Sequence, residues 1–75
     1  MKKIQNFTTE FTEFVKELGN INATRIISFK YTDTCKVIVL LDADCDSTDF
    51  MIAIAKFINT RKEIDCIHDI IVSLH

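Results

Sequence analysis

KVIVLLDADCDSTDFMIAIAKF, residues 36–57, decides the fold of this chain. The run from Val37 to Leu41 is apolar at every position, which is typical of a strand buried on both faces. Asp46 or Ser47 can cap a helix by accepting from its first free N–H groups, and the residues that follow are apolar at helical spacing. The stretch therefore predicts a central strand, a tight acidic turn and an apolar helix.

The residues before this stretch predict a helix and then a strand. Apolar side chains at three- and four-residue spacing indicate a helix over residues 3–18: Ile4, Phe7, Phe11, Phe14, Val15 and Leu18. Gly19 supplies a left-handed stop for that helix. Alternation from Arg25 to Tyr31 then predicts a half-buried strand with Ile27, Phe29 and Tyr31 on one face.

The closing residues complete a small α+β pattern. Residues 66–74 alternate as a last strand, so the order of elements is α-β-β-α-β. A short turn pairs the first two strands antiparallel, and a crossover through the second helix returns the last strand parallel. We expect one domain over residues 1–75: a two-layer sandwich with a three-stranded mixed sheet and both helices on one face, a ferredoxin-like fragment.

Composition excludes several classes of protein. Hydrophobic residues make up 48% of the chain, with one Gly and no Pro, which indicates a folded domain. The net charge is −2 and the basic residues are spread along the chain, so no nucleic-acid partner is expected. Because no apolar run reaches the roughly 20 residues of a membrane helix, no membrane insertion is expected. Three cysteines and no signal-like N-terminus predict a cytoplasmic location.

The acidic turn resembles a calcium loop at its first positions only. Asp42, Asp44 and Asp46 occupy positions one, three and five of an EF-hand loop. Ser47 stands where that loop needs Gly, and Ala53 stands where it needs a bidentate Glu. We therefore interpret these carboxylates as turn and capping residues.

The histidines offer few partners for a metal ion. Cys66 and His68 are two apart on the predicted strand and share a face, which gives at most two soft ligands where zinc needs three or four. His75 falls on the opposite face. Near Asp69, or across a dimer axis, His75 could still help to hold a metal. Asp69 and His75 are thus the candidate metal ligands.

The order of elements, with VIVLLDADCDST before the second helix and DIIVSLH as the last strand, resembles the cytosolic C-terminal domain of cation diffusion facilitator transporters. The resemblance covers about residues 8–75. It implies a dimer that binds zinc or another divalent cation between protomers. Most positions of the family's histidine ligands hold other residues here, among them Val39 and Ser73, whereas His75 matches a position that can carry a ligand.

The apolar surplus on either side of the acidic turn predicts a contact surface. The candidate partner-binding residues lie on the back of the sheet and on the second helix: Ile26, Ile38, Leu40, Met51, Ile52 and Ile71. We expect a non-catalytic protein-interaction module without a cofactor, which forms a homodimer or docks on a larger protein. A phage or mobile-element protein that binds a host factor would suit this composition. The alternative is a divalent-metal-binding regulatory domain.

Overall fold

The computed structural model describes residues 4–19, 21–44 and 47–75, which form a small α+β fold. Its helices and strands, in chain order, are β1 (Ile4–Asn6), α1 (Thr8–Leu18), β2 (Ile26–Thr32), β3 (Lys36–Leu41), α2 (Ser47–Thr60) and β4 (Asp69–Leu74). The strands form a single sheet in the order β1-β2-β3-β4. The α+β class is confirmed, but the expected three-stranded sheet is wrong because β1 adds a fourth strand.

The pairing directions among β2, β3 and β4 follow the lengths of the connections between these strands. β2 pairs antiparallel with both β1 and β3, while β4 pairs parallel with β3. The predicted hairpin and the predicted parallel return are therefore both confirmed. β3 lies inside the sheet, and within the described part of the chain β1 and β4 are its two edges.

β1 replaces the first turn of the predicted helix. The Asn6 side-chain oxygen accepts hydrogen bonds from the Thr8 backbone N–H at 2.9 Å and from the Thr8 hydroxyl at 2.5 Å. This local turn ends the extended segment and lets α1 begin at Thr8. The Phe7 N–H donates to the carbonyl of Phe29 at 2.8 Å, which continues the contact with β2. Ile4 therefore belongs to a strand, although its spacing from Phe7 also suits a helix.

Phe57 of α2 lies at the centre of an aromatic core. Its ring centroid is 5.1 Å from that of Phe29, 5.2 Å from Phe11, 5.5 Å from Phe14 and 6.3 Å from Phe7. These rings come from α1, α2, β2 and the residue before α1. Both helices therefore pack on the same face of the sheet.

The two faces of β3 differ in burial. Val37, Val39 and Leu41 are fully buried under the helices, whereas Ile38 is exposed and Leu40 is half-buried on the opposite face. We expected β3 to be buried on both faces. Both helices cover the first face, and no described element covers the second.

A bulge in β2 changes which isoleucine faces the core. The register between β2 and β3 shifts between Ile26 and Ser28. As a result Ile26 packs against the core, while Ile27 is 43% exposed. The sequence pattern placed these two residues the other way round, because simple alternation takes no account of an extra residue.

The C-terminal end of α1 agrees with the sequence pattern, whereas the helix begins five residues later than predicted. Gly19 closes α1 with a φ of 78°, in the left-handed region that favours glycine, and its N–H donates to the carbonyl of Val15 at 3.3 Å.

Among the described residues, neither helix is long and apolar enough to cross a lipid bilayer.

Candidate functional site

Parallel pairing brings the residues before β3 and before β4 to one end of the sheet. Lys36, the first residue of β3, lies opposite Asp69, the first residue of β4. Cys35 and His68 precede these residues, and the His68 N–H donates to the carbonyl of Cys35 at 2.7 Å. The turn between β2 and β3 is therefore fixed beside the segment that enters β4.

Three side chains that can bind metal converge at this place. One ligand atom each from Cys35, Cys66 and His68 lie within 4.8 Å of one another, and we call this group the Cys–His cluster. Cys35 is half-buried, whereas Cys66 and His68 are exposed. The buried Tyr31 donates its hydroxyl to the carbonyl of Cys66 at 2.6 Å, which holds the Cys66 segment against β2.

Sequence reasoning missed Cys35 as a member of this cluster. It placed Cys66 and His68 together on a predicted strand, but β4 begins only at Asp69. The signal that could have found the third residue was the predicted parallel pairing of β3 and β4. Residues that precede two parallel neighbours meet at the same end of a sheet, and Cys35 directly precedes β3.

Cys35 adopts a backbone conformation that is unusual for its residue type. Its φ is 63°, and its N–H donates to the carbonyl of Thr32 at 3.1 Å. Three residues thus connect β2 to β3, and the last of them is left-handed, where glycine is the usual choice. A Cβ in this region costs about 1 kcal/mol, so a thiol occupies a position at which glycine would be more stable.

Neighbouring side chains raise the pKa values of Cys66 and Tyr31. A hydrogen bond with the Cys35 side chain, together with partial desolvation of the sulfur, raises the pKa of the Cys66 thiol. The same two causes raise the pKa of the Tyr31 hydroxyl, and the charge of Asp65 acts in the same direction on both groups. In the metal-free chain Cys66 is therefore protonated at neutral pH.

The metal ligands expected from the sequence lie at opposite ends of β4. Asp69 begins the strand, while His75 follows it and donates its N–H to the carbonyl of Leu41 at 2.8 Å. Six residues of extended chain span about 20 Å. Asp69 and His75 of one chain therefore do not form a common site.

The Asp42 carboxylate stabilises the acidic turn. Asp42 accepts hydrogen bonds from the Asp44 N–H at 3.0 Å and from the Arg25 guanidinium at 3.2 Å. The Asp44 N–H and then the Arg25 guanidinium hold the pKa of Asp42 below its ordinary value. Asp46 and Cys45 lie outside the described residues. The role of Asp42 as a turn residue agrees with the interpretation from the sequence.

A second candidate site is the outer edge of β4. Leu74 is 52% exposed, Ile71 is 38% exposed and Ile70 is 37% exposed. The register places Ile70 and Leu74 on the helix side of the sheet and Ile71 on the back. We call these three residues and the free side of the strand the β4 edge.

The other residues expected to bind a partner are distributed over two surfaces. Ile38 lies directly opposite Ile71 on the back of the sheet, and Leu40 is further along the same face. Met51 and Ile52 are exposed on α2. Ile26 differs from the expectation, because the bulge turns it toward the core.

No protein-family model, no curated protein and no solved structure matches this chain. The resemblance to the C-terminal domain of cation diffusion facilitators therefore stays a prediction.

Proposed function

We propose that this chain is a non-catalytic protein-interaction module that pairs with a second copy of itself through the β4 edge. The observation that carries the proposal is an edge strand of six residues with exposed apolar side chains, Ile70 and Leu74 on one face and Ile71 on the other. Such strands present unpaired N–H and C=O groups and are templates for pairing with another strand.

β4 lacks the features by which proteins protect a sheet edge. Its sequence, DIIVSL, contains no Pro and no Lys, and Asp69 is its one charged residue. β1, the opposite edge among the described strands, is three residues long and offers fewer groups for pairing. Of the two edges, β4 is therefore the better surface for adding a strand.

The direction of the N–H groups in β4 determines which of them face away from β3, toward a second strand. His75 donates its N–H toward β3, to the carbonyl of Leu41. Because N–H groups alternate in direction along a strand, Ser73 also faces β3, whereas Val72 and Leu74 direct their N–H groups outward. These outward N–H groups would donate hydrogen bonds to the carbonyl groups of a second strand.

Charge and symmetry favour a second copy in the antiparallel direction. Antiparallel pairing places the two Asp69 carboxylates at opposite ends of the new ladder, while parallel pairing would set them side by side. An antiparallel pair related by a two-fold axis is a closed contact that uses the same residues on both copies. It also extends the Ile38–Ile71 row on the back of the sheet across the contact.

Sedimentation equilibrium of the reduced chain, from low micromolar to about 1 mM, tests this proposal. We expect the mass to rise with concentration from 8.6 kDa to twice that value and to stop there. A mass that stays at 8.6 kDa over the whole range would refute self-pairing. A mass that grows beyond the dimer would refute the closed two-fold contact.

A further inference from the structure

We propose that Cys35, Cys66 and His68 bind one zinc ion, which links the turn between β2 and β3 to the segment before β4. This site is separate from the β4 edge and does not depend on the self-pairing proposed above. It also differs from the candidate ligands Asp69 and His75, which lie at opposite ends of β4.

The donor atoms suit a thiophilic transition metal. Zinc binding displaces the thiol protons of Cys35 and Cys66 into solvent. The resulting two thiolates and one imidazole form a soft ligand set that favours zinc over calcium or magnesium. In a tetrahedral zinc site with Zn–S distances of about 2.3 Å and Zn–N distances of about 2.0 Å, ligand atoms lie about 3.5–3.8 Å apart. The atoms of the Cys–His cluster are within 4.8 Å of one another, so a contraction of about 1 Å brings them to this geometry.

The backbone holds the two ligand-bearing segments together before any ion binds. One hydrogen bond joins the His68 N–H to the carbonyl of Cys35, and another joins the Tyr31 hydroxyl to the carbonyl of Cys66. Both connect parts of the chain that are far apart in sequence. The entropy of bringing Cys35 and Cys66 together is therefore already lost on folding, which favours binding.

The backbone conformation of Cys35 is consistent with a functional role for its thiol. Its left-handed backbone places a Cβ where glycine is favoured, and such local costs are often found at functional sites. Zinc binding gives this cysteine a role that the turn alone does not require.

The cluster leaves one coordination position for a ligand from outside. Three protein ligands with a water in the fourth position are common in zinc sites that remain open. The exposure of Cys66 and His68 gives such a ligand access. The part of the chain that the structure describes thus supplies three of the four ligands, and a water completes the site.

The test uses the full chain with a phosphine reductant and either zinc or cobalt as the probe. We expect native mass spectrometry to show one zinc ion per chain. Cobalt should give thiolate charge-transfer absorption and the strong visible bands of tetrahedral coordination. Zinc at about 100 times its Kd should raise the Tm by roughly 10 °C, because the ion binds the folded chain preferentially.

Single substitutions identify the ligands. Cys35→Ser, Cys66→Ser and His68→Ala should each lower the zinc affinity at least about 100-fold and remove the Tm response. Matched controls are Cys45→Ser, which removes the cysteine that the proposal does not use, and His75→Ala, which removes the other histidine. Both controls should bind zinc like the unaltered chain.

Cys35→Gly separates loss of zinc binding from loss of the fold. Glycine accepts a φ of 63° without strain, so this variant should melt a few degrees above the zinc-free parent and show no zinc response. The proposal is overturned if the reduced parent binds no zinc at micromolar concentrations, or if Cys35→Ser and Cys66→Ser still bind it. Loss of binding in His75→Ala would also overturn it, since the ion would then lie elsewhere.

Discussion

Phe57→Ala is expected to remove most of the free energy of unfolding and to leave up to about half of the molecules unfolded in water at 25 °C. Phe57 is 1% exposed and contacts the rings of Phe7, Phe11, Phe14 and Phe29. Truncating a buried phenylalanine costs about 3–5 kcal/mol, because its apolar contacts are lost and a cavity remains. A domain of this size has a free energy of unfolding of only about 5 kcal/mol. One substitution therefore removes most of the free energy that keeps the chain folded.

Urea denaturation followed by circular dichroism measures this effect, with Phe14→Ala as the control. Phe14 is half-buried and has one aromatic contact, with Phe57 at 5.5 Å. We expect its truncation to lower the free energy of unfolding by less than half as much. Equal losses in the two variants would contradict the central position of Phe57 in the core.

Leu74→Lys is expected to weaken self-association at least about tenfold while the chain stays folded. Fully burying a leucine contributes about 1.5–3 kcal/mol, so burying its exposed half contributes about 1 kcal/mol. A two-fold contact contains the residue twice, so both contributions are lost together. Leu74 is already 52% exposed in the single chain, which limits the cost to folding. The charge also protects the edge, as lysine does in many natural edge strands.

Sedimentation equilibrium compares this variant with Ile4→Lys, which changes an equally apolar side chain at the other edge of the sheet. Ile4 is 61% exposed in β1, so its substitution should leave the dimer unchanged. If Ile4→Lys abolishes association, β1 takes part in the contact, and the pairing of β4 with β4 is wrong. If Ile52→Lys does so, the contact lies on α2.

The parts of the fold that depend on local pattern could be predicted from the sequence. Gly19 ended α1 as expected, and the lengths of the connections gave the antiparallel and parallel pairings. β1 could not be predicted in this way, because three residues carry too little periodicity and owe their conformation to pairing with β2. The bulge beside Ile26 is likewise set by the pairing of β2 with β3.

The candidate sites could also be predicted only in part, because some of their residues are brought together by pairing between strands that are distant in sequence. The sequence identified Ile71 and Ile38 as surface apolar residues, but only the order of the strands shows that β4 is an edge. Cys66 and His68 were recognised as neighbours from their spacing. Cys35 joins them through parallel pairing over a long sequence separation, which a search for local ligand spacing does not detect.

Amide hydrogen exchange, followed by NMR for each residue of β4, tests the pairing of this strand most directly. At concentrations well above the dimer Kd, the outward N–H groups of Val72 and Leu74 should exchange at least about tenfold more slowly than in the dissociated chain. The Ser73 N–H, which faces β3, should be protected at every concentration. Val72 and Leu74 amides that exchange freely at millimolar concentration, beside a protected Ser73, would contradict the pairing of β4 with a second copy.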